Sequence, residues 1–171
     1  IVHAFLAPTP LARARFCEDS LKTAVLTGTA QYVILGAGLD TFAFREREMT
    51  QRLRVFMVDH PLTQADTQRR LLRAGLEIPR NLSFVPYDFA GGDLRAALAA
   101  AGFEEGKKTF FSWLGVSYYL SPERAEALLE ALSAFAAEGS TLLFDYADAG
   151  ARTAPEAREA RMQLMAAAGG E

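Results

Sequence analysis

The chain has 171 residues, half of them apolar and 23% charged, which is enough for one domain of ordinary size with a continuous core. Its formal net charge of −3 gives no reason to expect binding to nucleic acid or to an anionic membrane through bulk charge. No apolar run approaches the roughly 20 residues that span a bilayer, and no signal peptide is recognisable, so we expect a cytoplasmic protein. Cys17 is the single cysteine, which excludes an intrachain disulfide and agrees with a reducing compartment.

Apolar segments alternate with helical patterns along the chain. In order, the elements are predicted as helix Leu11–Leu26, strand Gln31–Leu35, strand Leu53–Val58, helix Leu62–Ala74, strand Leu82–Tyr87, helix Leu94–Ala101, strand Thr109–Leu114, a helix from Pro122 to about Ala137, and strand Ser140–Tyr146. Continuous apolar strands separated by helices indicate parallel pairing with both faces of the sheet covered. Right-handed crossovers then give an α/β fold with a doubly wound, mostly parallel sheet.

The domain organisation follows from the absence of any internal repeat or linker pattern, so residues 1–171 are predicted to form one domain. Within it, residues 11–30 carry the N-terminal helix and residues 31–146 the α/β core. The tail over residues 147–171 is rich in Ala and Arg, has no strand signal and is predicted to be helical.

A glycine loop follows the first predicted strand. In VILGAGLDTFAFR, residues 33–45, the strand ends at Gly36-Ala37-Gly38 and an amphipathic helical pattern follows. Glycines let a ligand approach the backbone, because no Cβ stands in the way. A dinucleotide-binding loop would carry a third glycine, which allows close packing beside a pyrophosphate. Here that position is Thr41, preceded by Asp40, and a carboxylate at this place disfavours an anionic ligand.

Acidic residues follow the second and third predicted strands. Asp59 lies about twenty residues beyond the glycines, where a carboxylate can accept hydrogen bonds from ribose hydroxyls. Asp88 can reach an adenine amino group, and Phe89 can cover the base. Because ligands of open parallel sheets bind at the carboxyl ends of the strands, we expect these residues, the glycines and the end of the fourth strand at Leu114-Gly115 to line one pocket. S-adenosylmethionine fits this set, since it carries ribose and adenine but no phosphate.

Four segments in this order resemble the leucine carboxyl methyltransferase family and most of all its bacterial branch: VILGAGLDTFAFR, VFMVDHPLTQ, LSFVPYDF and FFSWLGVSYYLSPE. The resemblance extends over about residues 11–146. It implies a Rossmann-like class I methyltransferase sheet and S-adenosylmethionine as the cofactor. It also implies that Gly36, Ala37 and Gly38 lie beside the methionine part of the cofactor, with Asp59 at the ribose and Asp88-Phe89 at the adenine.

Two further site residues come from the same resemblance. An N-terminal arginine of the family contacts the cofactor carboxylate; Arg13 matches its position best, and Arg15 stays an alternative. Many members carry a glutamate just before the glycine that follows the fourth strand, where this sequence has Leu114. The role of that carboxylate is therefore either absent or performed by another residue. Leu114 is still predicted to be a cofactor-binding residue.

The resemblance also bears on the end of the chain. Family members usually continue past the fifth strand with a helix and an antiparallel strand pair, so it implies that the C-terminal strands are absent here and that the chain is truncated. A sheet that ends at its fifth strand exposes an edge, which favours a homodimer.

The predicted activity is methyl transfer from S-adenosylmethionine to a carboxyl group of a small molecule or peptide. A carboxylate is ionised at neutral pH and needs no general base, which agrees with the lack of a convincing His or Lys base; no catalytic residue is assigned. Two alternatives stay open: a cofactor-binding paralogue without turnover, suggested by Leu114 and the short C-terminus, and a nicotinamide-dependent oxidoreductase, which requires the third glycine. Two histidines and one cysteine without ligand-like spacing argue against a metal site.

Some residues near the predicted site can have structural roles instead. Asp59 can cap the helix that begins near Pro61, and His60 is interpreted as structural because it directly follows a buried strand. Cys17 is interpreted as a small buried residue of the first helix. Tyr118 and Tyr119 are candidates for the mouth of the acceptor site.

Overall fold

The computed structural model describes residues 8–146; residues 1–7 and the predicted helical tail over 147–171 lie outside the described range. Its elements are α1 (Pro8–Leu26), β1 (Gln31–Leu35), α2 (Phe42–Arg45), α3 (Arg47–Thr50), β2 (Arg54–Asp59), α4 (Pro61–Arg73), β3 (Leu82–Pro86), α5 (Leu94–Ala100), β4 (Thr109–Trp113), a 3₁₀ turn (Ser117–Tyr119), α6 (Pro122–Phe135) and β5 (Thr141–Phe144). The five predicted strands are all present, with small boundary shifts. Among residues 8–146, no helix has the length and apolar character that crossing a membrane requires.

The strands form one parallel sheet in the order β3-β2-β1-β4-β5. This confirms the predicted α/β fold with a doubly wound parallel sheet. Leu35 at the end of β1 pairs with Val58 of β2, and Asp59 pairs with Pro86 of β3, so the carboxyl ends of these strands meet at one edge. The strand order reverses between β1 and β4, and ligands of such sheets bind in the crevice at that point.

Two apolar cores cover the two faces of the sheet. Tyr32 and Ile34 of β1 face the core that includes α1, α2 and α3. Val33 and Leu35 face the core built with α5 and α6. The strands β1 and β4 are consequently buried along their whole length, which explains why both read as continuous apolar runs.

The segment after the glycine loop differs from the expected strand, loop and single helix. α2 and α3 are separate turns of four residues, and they are interrupted at Glu46, whose ψ of 56° is not helical. The amphipathic pattern after the loop therefore corresponds to two short turns rather than to one continuous helix. Because a helix of one turn sums few peptide dipoles, its N-terminus offers little attraction to an anion such as a pyrophosphate.

The sheet ends at β5 within the described residues. β5 is half exposed, and Phe144 retains 41% of its accessible surface. The Phe144 ring lies 6.0 Å from the ring of Trp113 and 6.1 Å from that of Tyr146, so an aromatic surface adjoins this edge. The homodimer expected at such an edge stays a prediction.

Replacing Gln31 by leucine is expected to lower the free energy of unfolding by about 2–3 kcal/mol. Gln31 is fully buried, its Nε2 donates to Glu104 O at 2.9 Å and to Thr109 Oγ1 at 3.0 Å, and its Oε1 accepts from Glu104 N–H at 2.9 Å. Leucine would leave the Glu104 backbone groups without these partners. Urea denaturation measures the effect, and Gln51→Leu at an exposed position is the control, with an expected change within about 0.5 kcal/mol. Equal losses of unfolding free energy in Gln31→Leu and Gln51→Leu would show that the buried hydrogen bonds of Gln31 do not stabilise the fold.

Candidate functional site

A cavity of about 200 Å³ opens where the carboxyl ends of β1 and β4 meet α1. Four of the predicted cofactor-binding residues line it: Arg13, Gly36, Ala37 and Leu114. The cavity lies at the point where the strand order reverses, which is the expected ligand position in an open parallel sheet. It is smaller than the roughly 300–1,000 Å³ of pockets for drug-sized ligands, so it fits one part of a larger ligand.

The two glycines of the loop have different environments. Gly36 adopts a φ of +69°, and a Cβ placed on it would lie 2.3 Å from Val116 Cγ2. Gly38 has a φ of +52°, but a Cβ there would meet no atom within 4 Å. Gly36 is thus required by backbone conformation and by the close approach of Val116. The space in front of Gly38 is open, so a ligand can approach the backbone at this position.

The carboxylate of Asp59 joins β2 to the glycine loop. Oδ2 accepts a hydrogen bond from Gly38 N–H at 2.5 Å, and Oδ1 accepts one from His60 N–H at 2.6 Å. The cap of α4 is instead His60, whose Nδ1 accepts from Leu62 N–H at 3.2 Å. The interpretation of Asp59 as that cap is therefore wrong, and His60 has the structural role that the sequence indicated. The ribose contact of Asp59 stays a prediction.

The residues predicted at the adenine lie after β3. Asp88 Oδ1 accepts from Ala90 N–H at 2.8 Å, which fixes the turn. Phe89 packs edge-on against Tyr87 with 5.1 Å between ring centroids, and both line a groove of about 390 Å³ bounded by α5 and α6. The edge of the sheet thus carries two concavities rather than the one pocket expected. Three predicted residues are in the lining of neither: Gly38, Asp59 and Asp88.

The two candidate arginines of α1 differ in position. Arg13 lines the cavity, and its Nη1 donates to Asp145 Oδ2 at 2.5 Å. The side chain of Arg15 is 74% exposed and its Nε donates to Asp19 at 2.7 Å, away from the cavity lining. The geometry therefore favours Arg13 as the arginine of the site.

Asp145 binds a residue of the cavity lining and was not among the residues predicted from the sequence. Its Oδ1 accepts from Gly115 N–H at 2.8 Å while its Oδ2 holds Arg13, so it connects the end of β5 to the loop after β4 and to α1. The rule that selected Asp59 and Asp88, an acid directly after a strand, applies to Asp145 as well. It was missed because the fifth strand was predicted to run to Tyr146, which placed Asp145 inside it.

Neutral polar groups form another part of the cavity wall. Tyr32 Oη lies 2.9 Å from Ser112 Oγ and 3.7 Å from Cys17 Sγ. Burial raises the pKa of Cys17, and burial together with the nearby Cys17 and Asp40 raises the pKa of Tyr32. Both groups stay protonated at neutral pH, so neither is a ready base or nucleophile. The interpretation of Cys17 as a buried residue is confirmed, since it is 2% exposed.

The chain matches known proteins over most of its length. Residues 3–133 match the family model described as "Leucine carboxyl methyltransferase". The chain is 48% identical over 168 residues to "Putative S-adenosyl-L-methionine-dependent methyltransferase YktD" of Bacillus subtilis, covering 97% of this chain and 55% of that protein. It is 36% identical over 134 residues to a protein of the same description from Mycolicibacterium gilvum, covering 78% of this chain and 54% of the relative. The chain thus spans about half the length of these curated relatives.

Solved structures share the fold at low sequence identity. An S-adenosylmethionine-dependent methyltransferase from Clostridium acetobutylicum superposes with a TM-score of 0.57 and 11% identity, covering 88% of this chain and 56% of that one. An O-methyltransferase family protein from Burkholderia thailandensis gives a TM-score of 0.54 and 15% identity, covering 92% and 49%. These similarities establish the class I methyltransferase fold.

Proposed function

Because the chain belongs to the leucine carboxyl methyltransferase family, we propose that it binds S-adenosylmethionine at the carboxyl edge of its sheet and transfers the methyl group to a carboxylate of a small molecule or peptide. One observation carries the proposal: the cavity at the reversal of strand order is lined by the loop glycine Gly36 and by Arg13. The curated relatives named above are described as S-adenosyl-L-methionine-dependent methyltransferases, which supports the choice of cofactor.

The proposed cofactor lies across four strands. Arg13 binds its carboxylate in the cavity beside β4 and β1, Asp59 binds the ribose at the end of β2, and Asp88 with Phe89 holds the adenine after β3. Strands about 4.8 Å apart place β4 and β3 about 14 Å from each other, a span that an adenosine joined to an amino acid can cover. Gly38, with open space in front of it, lies between these two ends.

The residues of the site would act by binding and orienting. When bound, S-adenosylmethionine supplies a methyl group on a positively charged sulfur, which a carboxylate oxygen can attack in line with the C–S bond. Such a displacement depends on alignment and on exclusion of water. The acceptor needs no deprotonation, and this agrees with a cavity in which Cys17 and Tyr32 stay neutral and with a His60 engaged as a helix cap. We assign no catalytic residue.

Calorimetric titration with S-adenosylmethionine, S-adenosylhomocysteine and NADH tests the proposal. We expect binding of both adenosyl ligands and none of NADH. Binding of NADH alone would support the nicotinamide-dependent oxidoreductase. Binding of S-adenosylmethionine without methyl transfer to any carboxylate tested, in this chain and in a longer form matching the length of the relatives, would support the cofactor-binding paralogue.

Replacing Arg13 by glutamine is expected to weaken S-adenosylhomocysteine binding about 10- to 100-fold, since hydrogen bonds between charged groups contribute about 1.5–3 kcal/mol. Arg15→Gln on the same helix is the matched control and is expected to change the affinity less than twofold. Asp145→Asn removes the ion pair while keeping the guanidinium, so it separates loss of Arg13 from loss of its partner. Calorimetry measures all three, and a larger effect at Arg15 would move the assignment to that residue.

A further inference from the structure

A second acidic group lies inside the cavity besides the Glu18 carboxylate. Asp40, two residues after Gly38, lines the same cavity as Arg13 and is partly buried. Its Oδ1 accepts a hydrogen bond from Phe42 N–H at 2.7 Å. Its Oδ2 accepts none from the residues that the structure describes.

The cations near Asp40 are engaged elsewhere. Arg45 donates to Glu18 Oε1 at 2.5 Å, and Arg13 donates to Asp145. Within residues 8–146, Asp40 takes part in no ion pair, whereas Glu18, the other acid of the cavity lining, is paired. A partly buried carboxylate without a cation is destabilised, because burial removes part of the water that would otherwise stabilise its charge.

The environment of Asp40 agrees with this destabilisation. Burial raises the pKa of its carboxyl, while the hydrogen bond from Phe42 N–H and the charge of Arg45 oppose the rise; Glu18 adds to it. Two other polar side chains of the cavity wall, Cys17 and Tyr32, stay neutral. The site therefore holds an acidic group whose ionised form would be stabilised by a cationic ligand.

We propose that Asp40 binds the α-ammonium group of the cofactor, so that the cavity recognises the zwitterionic amino-acid end of S-adenosylmethionine with Arg13 at its carboxylate and Asp40 at its ammonium. This inference rests on the proposed function. It assigns Asp40 to the ligand and gives a role to a partly buried acid that lines the cavity without an ion pair. The size of the cavity, about 200 Å³, suits an amino-acid end better than a nucleoside.

The test compares three ligands by calorimetry at pH 7: S-adenosylhomocysteine, its analogue with hydrogen in place of the α-amino group, and 5′-methylthioadenosine, which lacks the amino-acid end. The wild-type chain is expected to prefer S-adenosylhomocysteine to the desamino analogue about 10- to 100-fold. In Asp40→Asn this preference is expected to fall to threefold or less, while affinity for 5′-methylthioadenosine stays within twofold of the wild type. Asp66→Asn, at an acid on the solvent side of α4, is the matched control and should keep the full preference.

The outcomes separate this inference from the proposed function. A wild type that binds S-adenosylhomocysteine and the desamino analogue equally well, or an Asp40→Asn that keeps the full preference, overturns the role of Asp40 and leaves cofactor binding intact. A wild type that binds no adenosyl ligand overturns both. Free methionine competing at millimolar concentration, with Asp40→Asn insensitive to it, would support the ammonium contact. Free methionine binding without any adenosyl ligand would assign the cavity to an amino-acid acceptor and overturn the proposal.

Thermal unfolding of the ligand-free protein shows whether Asp40 is instead a structural residue. A carboxyl whose pKa is higher in the folded than in the unfolded chain binds more protons when folded, so its ionisation lowers stability as the pH rises from about 3.8 through the folded pKa. Asp40→Asn removes this penalty and can still accept from Phe42 N–H. Its Tm at pH 7 is therefore expected to equal or exceed that of the wild type, and a clearly lower Tm with an unchanged ligand preference would identify a structural cap.

Discussion

Replacing Gly36 by alanine is expected to lower the free energy of unfolding by about 3 kcal/mol, which corresponds to a fall in Tm of about 10 °C for a chain of this size. Two effects add at this position. The φ of +69° costs a residue with a Cβ about 1–2 kcal/mol, and the new Cβ would lie 2.3 Å from Val116 Cγ2. Overpacking of this kind typically costs about 1–3 kcal/mol. Denaturant unfolding of the ligand-free protein measures the loss.

Gly38→Ala is the matched control, because it separates the two effects. Gly38 also has a positive φ, of +52°, but open space surrounds the position of its missing Cβ. Its replacement is therefore expected to cost only about 1–2 kcal/mol. In the double variant Gly36→Ala with Val116→Ala, removal of Cγ2 is expected to restore part of the loss. Equal losses in the two single variants would show that Val116 does not require a glycine at position 36.

Replacing Asp59 by alanine is expected to weaken S-adenosylhomocysteine binding about 100-fold, or about 2.7 kcal/mol. A carboxylate that accepts two ribose hydroxyls makes hydrogen bonds of the strong, charge-assisted kind. The same change removes the acceptor of Gly38 N–H and of His60 N–H, which loosens the glycine loop. Calorimetry measures the affinity, and Asp66→Ala, at a half-exposed acid of α4 that pairs with Arg70, is the control, with an affinity expected within twofold of the wild type.

A ligand lacking the ribose 2′-hydroxyl distinguishes direct contact from loosening of the loop. If Asp59 touches the ribose, the 2′-deoxy analogue of S-adenosylhomocysteine binds the wild type clearly more weakly than the parent ligand, and Asp59→Ala binds both equally. If Asp59 only holds Gly38, the two ligands lose affinity in parallel when Asp59 is replaced. The interaction energy of this cycle isolates the contact, because each single change removes one of its two partners.

The strands were predictable because a strand that is buried on both faces has a continuous run of apolar residues in the sequence. The prediction of β1 coincides with the observed Gln31–Leu35, since its residues are all buried. The edge strand β5 was predicted too long, as Ser140–Tyr146 against Thr141–Phe144, because an apolar residue past the end of an edge strand looks like one within it. Because of that error, Asp145 was placed inside the strand, whereas in the structure it follows the strand and binds Arg13 and Gly115 N–H.

The division of the site between two concavities was not predictable from spacing. Asp59 and Asp88 follow adjacent strands, as expected, but whether a side chain faces a cavity or a neighbouring backbone N–H depends on χ angles and on the packing of loops from other strands. The break at Glu46 was also not predictable from the sequence, because the amphipathic pattern of residues 42–50 is compatible with one helix or with two turns.

By itself, the sequence determined the α/β class, the parallel sheet, the glycine loop and the family of this chain, because these depend on local periodicity and on short motifs read in order. Only the tertiary structure decided that Arg13 rather than Arg15 reaches the cavity, that Asp59 holds Gly38, that Val116 requires a glycine at position 36 and that Asp40 lines the cavity without an ion pair. Each of these is a contact or an environment set by segments far apart along the chain. The distances and the burial of these residues are set when the strands pair, so they cannot be predicted from a local sequence pattern.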